Sequence, residues 1–404
     1  MSSEAMRRGR DWRPQLRAAG LALPLVAFVG VTFVAPLATM FSRSVYDAVV
    51  ADALPETLAL LEGWDGESVP GEEVFAAAAR ELMQAQEERV IGRVAGRVNR
   101  VQGGMRSIVA VTGRRLAAAP DGSWRETFVE IEPAWGEAGT WHALRTAGER
   151  YTSRHYLAAV DLRRLPDGSI ARQEEDRRIY LRLFARTFLV SLSITGLCLL
   201  FGYPLAHFIA HAPPRRAGLL LALVLVPFWT SLLVRTTSWI VLLQGQGVIN
   251  DILVALGLVS DDGRLALIYN MTGTFVAMTH VLLPFMVLPL YSVMRGIPRS
   301  HMDAAASLGA GPAQGFLRVY WPQTLPGVGA GSLLVFILAI GYYITPALVG
   351  GSTGQLISNM VAYHMQTSLN WGLASALGAI ILACVIGLYL LYERLAGTEG
   401  VRVA

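Results

Sequence analysis

A chain of 404 residues that is 53% hydrophobic and 16% charged, with mean hydropathy +0.44, is more apolar than a typical soluble domain. Its formal charge of +4 is carried against 30 acids entirely by arginine, because the sequence contains no lysine. A nucleotide-binding P-loop needs a lysine to reach the terminal phosphates, so standard nucleotide hydrolysis is excluded and the energy for any uphill work must come from elsewhere.

The first apolar run, about 20–41, is preceded by Arg7, Arg8, Arg10, Arg13 and Arg17. It is long enough to cross a bilayer, which takes about 20 residues. The basic flank predicts a cytoplasmic N-terminus, and the run is too long for a cleaved signal peptide. Residues 42–183 change character: they hold 22 of the 30 acidic residues and 19 of the 34 arginines, and no stretch in them could span. Within them 71–98 reads as helix, with Val74, Ala78 and Leu82 on one stripe. Residues 125–132 alternate like a strand, and Pro-Asp-Gly-Ser at 120–123 and 166–169 is turn chemistry. The expectation is a small α+β domain placed outside the membrane, since long domains translocate regardless of charge. Nothing in it resembles a catalytic constellation.

Further apolar runs follow at about 184–210, 217–243, 265–294, 327–349 and 371–392. The fold class predicted is an all-α polytopic membrane protein with six transmembrane helices and an inserted extracytoplasmic α+β domain. Its parts are 1–41 (N-terminus and first span), 42–183 (insertion), 184–394 (five-helix core) and 395–404 (cytoplasmic tail). Short-loop charge agrees with this topology. Arg215 and Arg216 lie in 211–217, and Arg295, Arg299 and Arg318 in 295–326, both expected inside. Asp251, Asp261 and Asp262 lie in 244–264, expected outside. Cys198 and Cys384 fall in apolar runs, so neither a disulfide framework nor a metal site is expected. The histidines are scattered, with packing roles as the default.

One loop stands out. Asp303 is the only acidic residue between Asp262 and Glu393, and Ala304, Ala305 and Ala306 follow it. A carboxylate suits the first turn of a helix, and the alanines leave a smooth face for close docking. Gly309 and Gly311-Pro312 should break that helix, and a second short one, about 313–320, should end before Pro322. Two short helices with a bend make a compact cytoplasmic knob.

The spacing Asp303-Ala304-Ala305, three residues, Gly309, nine residues, then Val319-x-Trp321-Pro322 resembles the EAA loop of bacterial ABC importer permeases. It departs by Asp for Glu at 303, Val for Ile at 319 and Trp for Leu at 321. More narrowly, the stretches 225–250, 282–300 and 341–351 are similar to the spermidine/putrescine-type permeases of the type I importers, a resemblance that covers about 184–394. It implies that Asp303, Ala304, Ala305, Gly309 and Pro322 form the coupling contact with a cytoplasmic ATPase dimer. It also implies a second permease subunit, a periplasmic substrate-binding protein and a place in the bacterial inner membrane. ATP and Mg2+ would be used by the partner ATPase, with no cofactor on this chain and no nucleic acid.

Candidate pathway residues are Arg235, the one ionisable group deep in a predicted span, and its neighbours Trp229, Thr230 and Trp239. Tyr342 and Tyr343 before Pro346 join them, where a broken helix exposes carbonyls able, with aromatic rings, to hold an ammonium ion. Belt aromatics at the interface would look the same. No Asp or Glu lies within the predicted spans, so a polyamine would have to find its carboxylates elsewhere. The resemblance implies a polyamine or a related small polar solute. An ion-coupled secondary transporter would instead need membrane carboxylates and inverted repeats, and a receptor would need an output module; neither is found.

Overall fold

The structure, a computed structural model, describes residues 12–118, 122–165 and 168–396. Arg7, Arg8 and Arg10, parts of both Pro-Asp-Gly-Ser turns (120–121 and 166–167) and the tail from 397 lie outside the described residues. Contacts divide the chain into two units: Met1–Leu157 with Arg163–Ala171, and Ala158–Leu162 with Arg172–Ala404.

In the first unit, α1 (Trp12–Val29) passes through a π-helical turn, Gly30–Val34, into α2 (Ala35–Val45). The widened turn sits just before Pro36, which lacks an N–H and crowds the preceding carbonyls. Leu21, Leu25 and Val31 point outward, as they would toward lipid. The chain then forms α3 (Val49–Ala53), α4 (Pro55–Glu62), α5 (Glu72–Glu87), α6 (Ile91–Asn99), α7 (Met105–Arg115), α8 (Trp124–Ile131), α9 (Ala138–Ala147) and α10 (Arg154–Ala159). Their core is aromatic: Phe75 meets Trp141 at 4.7 Å, Phe128 meets Trp135 at 5.1 Å, and Trp135 meets Trp141 at 5.0 Å. Both buried indoles are satisfied, Trp135 Nε1 donating to Thr112 Oγ1 at 2.8 Å and Trp141 Nε1 to the carbonyl of Trp135 at 3.0 Å. Val74, Ala78 and Leu82 are buried here as their spacing predicts.

This unit is helical rather than α+β. The expected strand 125–132 is α8, whose N-terminus is capped by Ser123 Oγ and by Glu72, a carboxylate that accepts the N–H of Trp124 and of Arg125. The expected helix 71–98 is two helices, parted where Arg89 takes φ 57°. Among the described residues the only strands are β1 (Leu162–Arg164) and β2 (Ile170–Arg172), three residues each.

The second unit contains α11 (Tyr180–His211), α12 (Pro214–Trp229), α13 (Leu232–Leu243), α14 (Val248–Ala255), α15 (Met271–Gly296), α16 (Ser300–Ser307), α17 (Pro312–Gly315), α18 (Trp321–Gly341), α19 (Ile344–Val349), α20 (Ile357–Gln366) and α21 (Trp371–Ala396). α11, α15 and α18 form its packed centre. Small residues permit the approach: a Cβ at Gly202 would meet Met286 Cγ at 3.0 Å, and one at Gly331 would meet Met286 Sδ at 2.8 Å. α11 is started by Asp161, which takes φ 57° and whose buried carboxylate accepts N–H groups from Ile179 (3.2 Å), Tyr180 (3.0 Å) and Leu181 (2.9 Å).

Six helical stretches have the length and composition to cross a membrane: Gly20–Val45, Glu175–His211, Leu232–Ala255, Met271–Gly296, Pro312–Gly341 and Trp371–Arg394. The number matches the sequence reading; the third span does not. The predicted run 217–243 is broken at Thr230 and Ser231, because Ser231 caps a new helix by accepting the N–H of Val234. The longer stretches also take in Glu175, Asp176, Asp251 and Glu393, acids near their ends. Asp251 pairs with Arg264 at 2.7 Å.

Candidate coupling and translocation site

The loop after α15 folds into the expected knob, with two differences. Its first helix, α16, begins at Ser300, so Asp303 lies in the first turn instead of capping it. Asp303, Ala304 and Ala306 are exposed while Ala305 is buried toward Gly315. Gly309 has φ +85° with open space around its Cβ position, so its requirement is conformational. The second helix does not stop before Pro322. α17 runs through a π-helical turn, Phe316–Tyr320, straight into α18, and Trp321 N–H reaches back to the carbonyl of Phe316. Pro322, at the second position of α18, has no N–H to place, and the wider turn absorbs its ring.

Aromatic contacts fix this knob to the end of α11. Tyr203 packs on Trp321 with ring centres 4.9 Å apart, and His207 meets Tyr320 edge-on at 5.2 Å. His207 and His211 lie 4.3 Å apart. Arg295 Nη1 donates to the carbonyl of Ala210 at 3.0 Å, and His301 bonds Gln323 at 2.7 Å. Trp321, a departure from the family pattern, thus has a packing partner. Leu308 is 89% exposed at the tip. Sequence reading passed over it, because exposure of a single leucine has no signature in the chain.

The second constellation gathers around the α12–α13 break. Arg235 Nη2 donates to the carbonyls of Pro227 and Thr230, the latter at 3.0 Å. It therefore occupies acceptors that the end of α12 leaves open. His280 and Tyr342 each lie within electrostatic reach of the Arg235 guanidinium. Trp239 Nε1 donates to His280 Nδ1 at 3.2 Å, and the hydroxyls of Thr236 and Thr345 lie 3.3 Å apart. The structure brings Arg235 and Tyr342, from two groups that the sequence left separate, within electrostatic reach of each other. Trp229 is 89% exposed at the end of α12 and Thr230 lies at the break. The carbonyl of Tyr343 accepts from Asn359 Nδ2 at 2.9 Å. His280 and Thr236 were missed, whereas Thr345 was read with Tyr342 and Tyr343; only the need of Trp239 for an acceptor points to His280. No carboxylate belongs to α11, α13, α15, α18 or α19.

Residues 177–397 match the model of the family described as binding-protein-dependent transport system inner membrane component. The chain belongs to this family. It is a multi-pass inner-membrane permease of an ABC transporter, with ATP used by a separate ATPase subunit. The permease is 35% identical over 213 residues to the spermidine/putrescine transport system permease protein PotB of Escherichia coli (strain K12), covering 53% of this chain and 76% of the relative. PotB of Haemophilus influenzae is 36% identical over 214 residues, 51% and 74% of the two chains. The inner membrane ABC transporter permease protein YdcU of Escherichia coli is 31% identical over 226 residues, 53% and 71%. A solved bacterial ABC transporter for the acidic polysaccharide alginate matches at TM-score 0.43 and 17% identity, over 56% of this chain and 81% of that one. Helices α1 to α10 of the permease precede the matched region.

Proposed function

We propose that this permease passes a small polar solute through the space beside Arg235, Trp239, His280 and Tyr342, with polyamines such as spermidine and putrescine as the first candidates. Its movement is coupled to ATP through the knob of Asp303, Ala304, Ala305, Leu308, Gly309 and Pro322. The observation that carries the coupling role is geometric. An exposed small-residue helix ends at an exposed leucine and a left-handed glycine, on a base immobilised by aromatic packing. Such a surface suits insertion into a groove of a partner.

The full assembly is an ATPase dimer on the cytoplasmic side, a second permease subunit and a periplasmic binding protein, with both termini of this chain cytoplasmic and the helices from α3 to α10 outside. The polyamine assignment is supported by identity to PotB. A second reading, a less cationic organic solute, is favoured by the guanidinium of Arg235 and the lack of carboxylates on the surrounding helices. Uptake of labelled spermidine and putrescine by the reconstituted complex decides between them. Uptake of either, abolished by Leu308→Asp, supports the proposal; an ATPase that does not co-purify with the chain overturns the coupling role.

A further inference from the structure

In its last turn, α11 carries two histidines that the transport reading does not use. His207 and His211 stand four residues apart and so share one face of the helix. Their ring centres are 4.3 Å apart. Two imidazoles at this spacing on a helix can hold one metal ion between them. An ion bound at about 2.1 Å to one nitrogen of each ring sits about 3 Å from each ring centre. Rings whose centres are 4.3 Å apart can therefore share it.

The hydrogen bonds leave suitable nitrogens free. His211 Nδ1 lies 2.8 Å from the carbonyl of His207. A carbonyl can only accept, so Nδ1 carries the proton and Nε2 keeps its lone pair. A ring N–H held by a backbone carbonyl is the common outer contact of a metal-binding histidine. Neither ring nitrogen of His207 is bonded to another described residue, and neither is among the buried unpaired atoms. Tyr320 closes the third side, its ring centre 5.2 Å from that of His207 and 5.7 Å from that of His211. Tyr320 is 3% exposed, and its buried hydroxyl has no hydrogen-bond partner among the described residues. Buried polar groups in native proteins are nearly always satisfied, so this one points to a polar ligand.

The surroundings select the kind of ion. Among the described residues no three histidines, cysteines or acids gather in one place, so no carboxylate or thiolate joins the pair. Arg295 Nη1 bonds the carbonyl of Ala210 beside it. Neutral nitrogen donors next to a guanidinium disfavour Mg2+ and Ca2+, which require several oxygen ligands. Imidazole suits zinc, nickel and copper, and the C-terminal end of α11 favours a cation.

We propose that His207 and His211 bind one divalent transition-metal ion of the zinc class. Water fills its remaining positions, and the hydroxyl of Tyr320 bonds one of those waters. With only two protein ligands the ion is exchangeable. Occupied, the site pins the last turn of α11 to the π-helical base of the knob.

The test uses the full chain without a histidine tag, stripped of metal, in a maltoside micelle near neutral pH. Calorimetric titration should give one Zn2+ per chain and no binding of Mg2+, and Zn2+ should raise the unfolding temperature. His207→Gln and His211→Gln should each weaken binding by about tenfold or more and remove the rise. His211 is exposed, so its variant should fold as wild type does. His301→Gln, on the knob but outside the pair, should keep both effects. Absence of Zn2+ binding in wild type, undiminished binding in His211→Gln, or an equal loss in His301→Gln overturns the proposal.

Discussion

Arg235 Nη2 donates 3.0 Å to the carbonyl of Thr230, five residues behind it and across a break in the chain. A charge that would be costly in a continuous span is instead spent on carbonyls that the break exposes. Arg235→Ala should leave these acceptors unsatisfied, at about 1–3 kcal/mol, and should lower both unfolding temperature and uptake. Arg235→Lys keeps the charge but not the fork. Equal unfolding temperatures for wild type and both variants would show that the bond does not hold the two helices.

At the knob, Gly309 and Leu308 make opposite demands. Any side chain at φ +85° is strained by roughly 1–2 kcal/mol, so Gly309→Val should bend the knob and impair both folding and coupling. Leu308 touches almost nothing, so Leu308→Asp should leave stability unchanged while weakening ATPase association by about tenfold or more. Pull-down of the ATPase alongside a melting curve separates the two effects.

Asp161 holds three N–H groups at the start of α11. Asp161→Ala should destabilise the protein by about 2 kcal/mol or more, the upper end of a single lost cap. Asp161→Asn, which tolerates the left-handed backbone and keeps one acceptor oxygen, should cost less. Chemical denaturation of the two variants checks the order.

His155 sets a pH dependence. Burial and the charges of Arg154 and Arg100 push its folded value to about 4, below the ordinary 6.5, so the neutral form is the one that folding favours. The associated stability is fully present above pH 6.5 and is lost as the pH falls from 6.5 toward 4, about 3 kcal/mol in all. Unfolding temperatures measured across that window should fall with acidification, and His155→Asn should flatten the curve.

The membrane architecture was largely legible because apolar runs of span length leave few alternatives. The third span was not: Ser231 caps a helix inside an unbroken apolar run, and only the bond from Arg235 reveals that the carbonyls at Pro227 and Thr230 are open. Helix α8 was mistaken for a strand because part of its cap, Glu72, lies 51 residues from Ser123, beyond any local pattern. The knob was legible from its lone acid, alanine run and glycine breaks, but its boundaries were displaced, since a π-helical turn leaves no mark in sequence. His280 joins the cluster around Arg235 and contributes nothing to a local pattern, since its contact with Trp239 crosses between helices.

That π-helical turn makes α17, the second half of the knob, and the fifth span one uninterrupted helix. From Pro312 to Gly341 the helix runs 30 residues, or about 45 Å at 1.5 Å per residue, with no loop in which a displacement can dissipate. Under the proposed coupling, a push at Phe316 would be carried along this helix toward Tyr342, the residue at its C-terminal cap. The extra residue in the turn offers a second discrete length for that helix: resolving it into regular helix would shift one end against the other by about one residue's rise, about 1.5 Å.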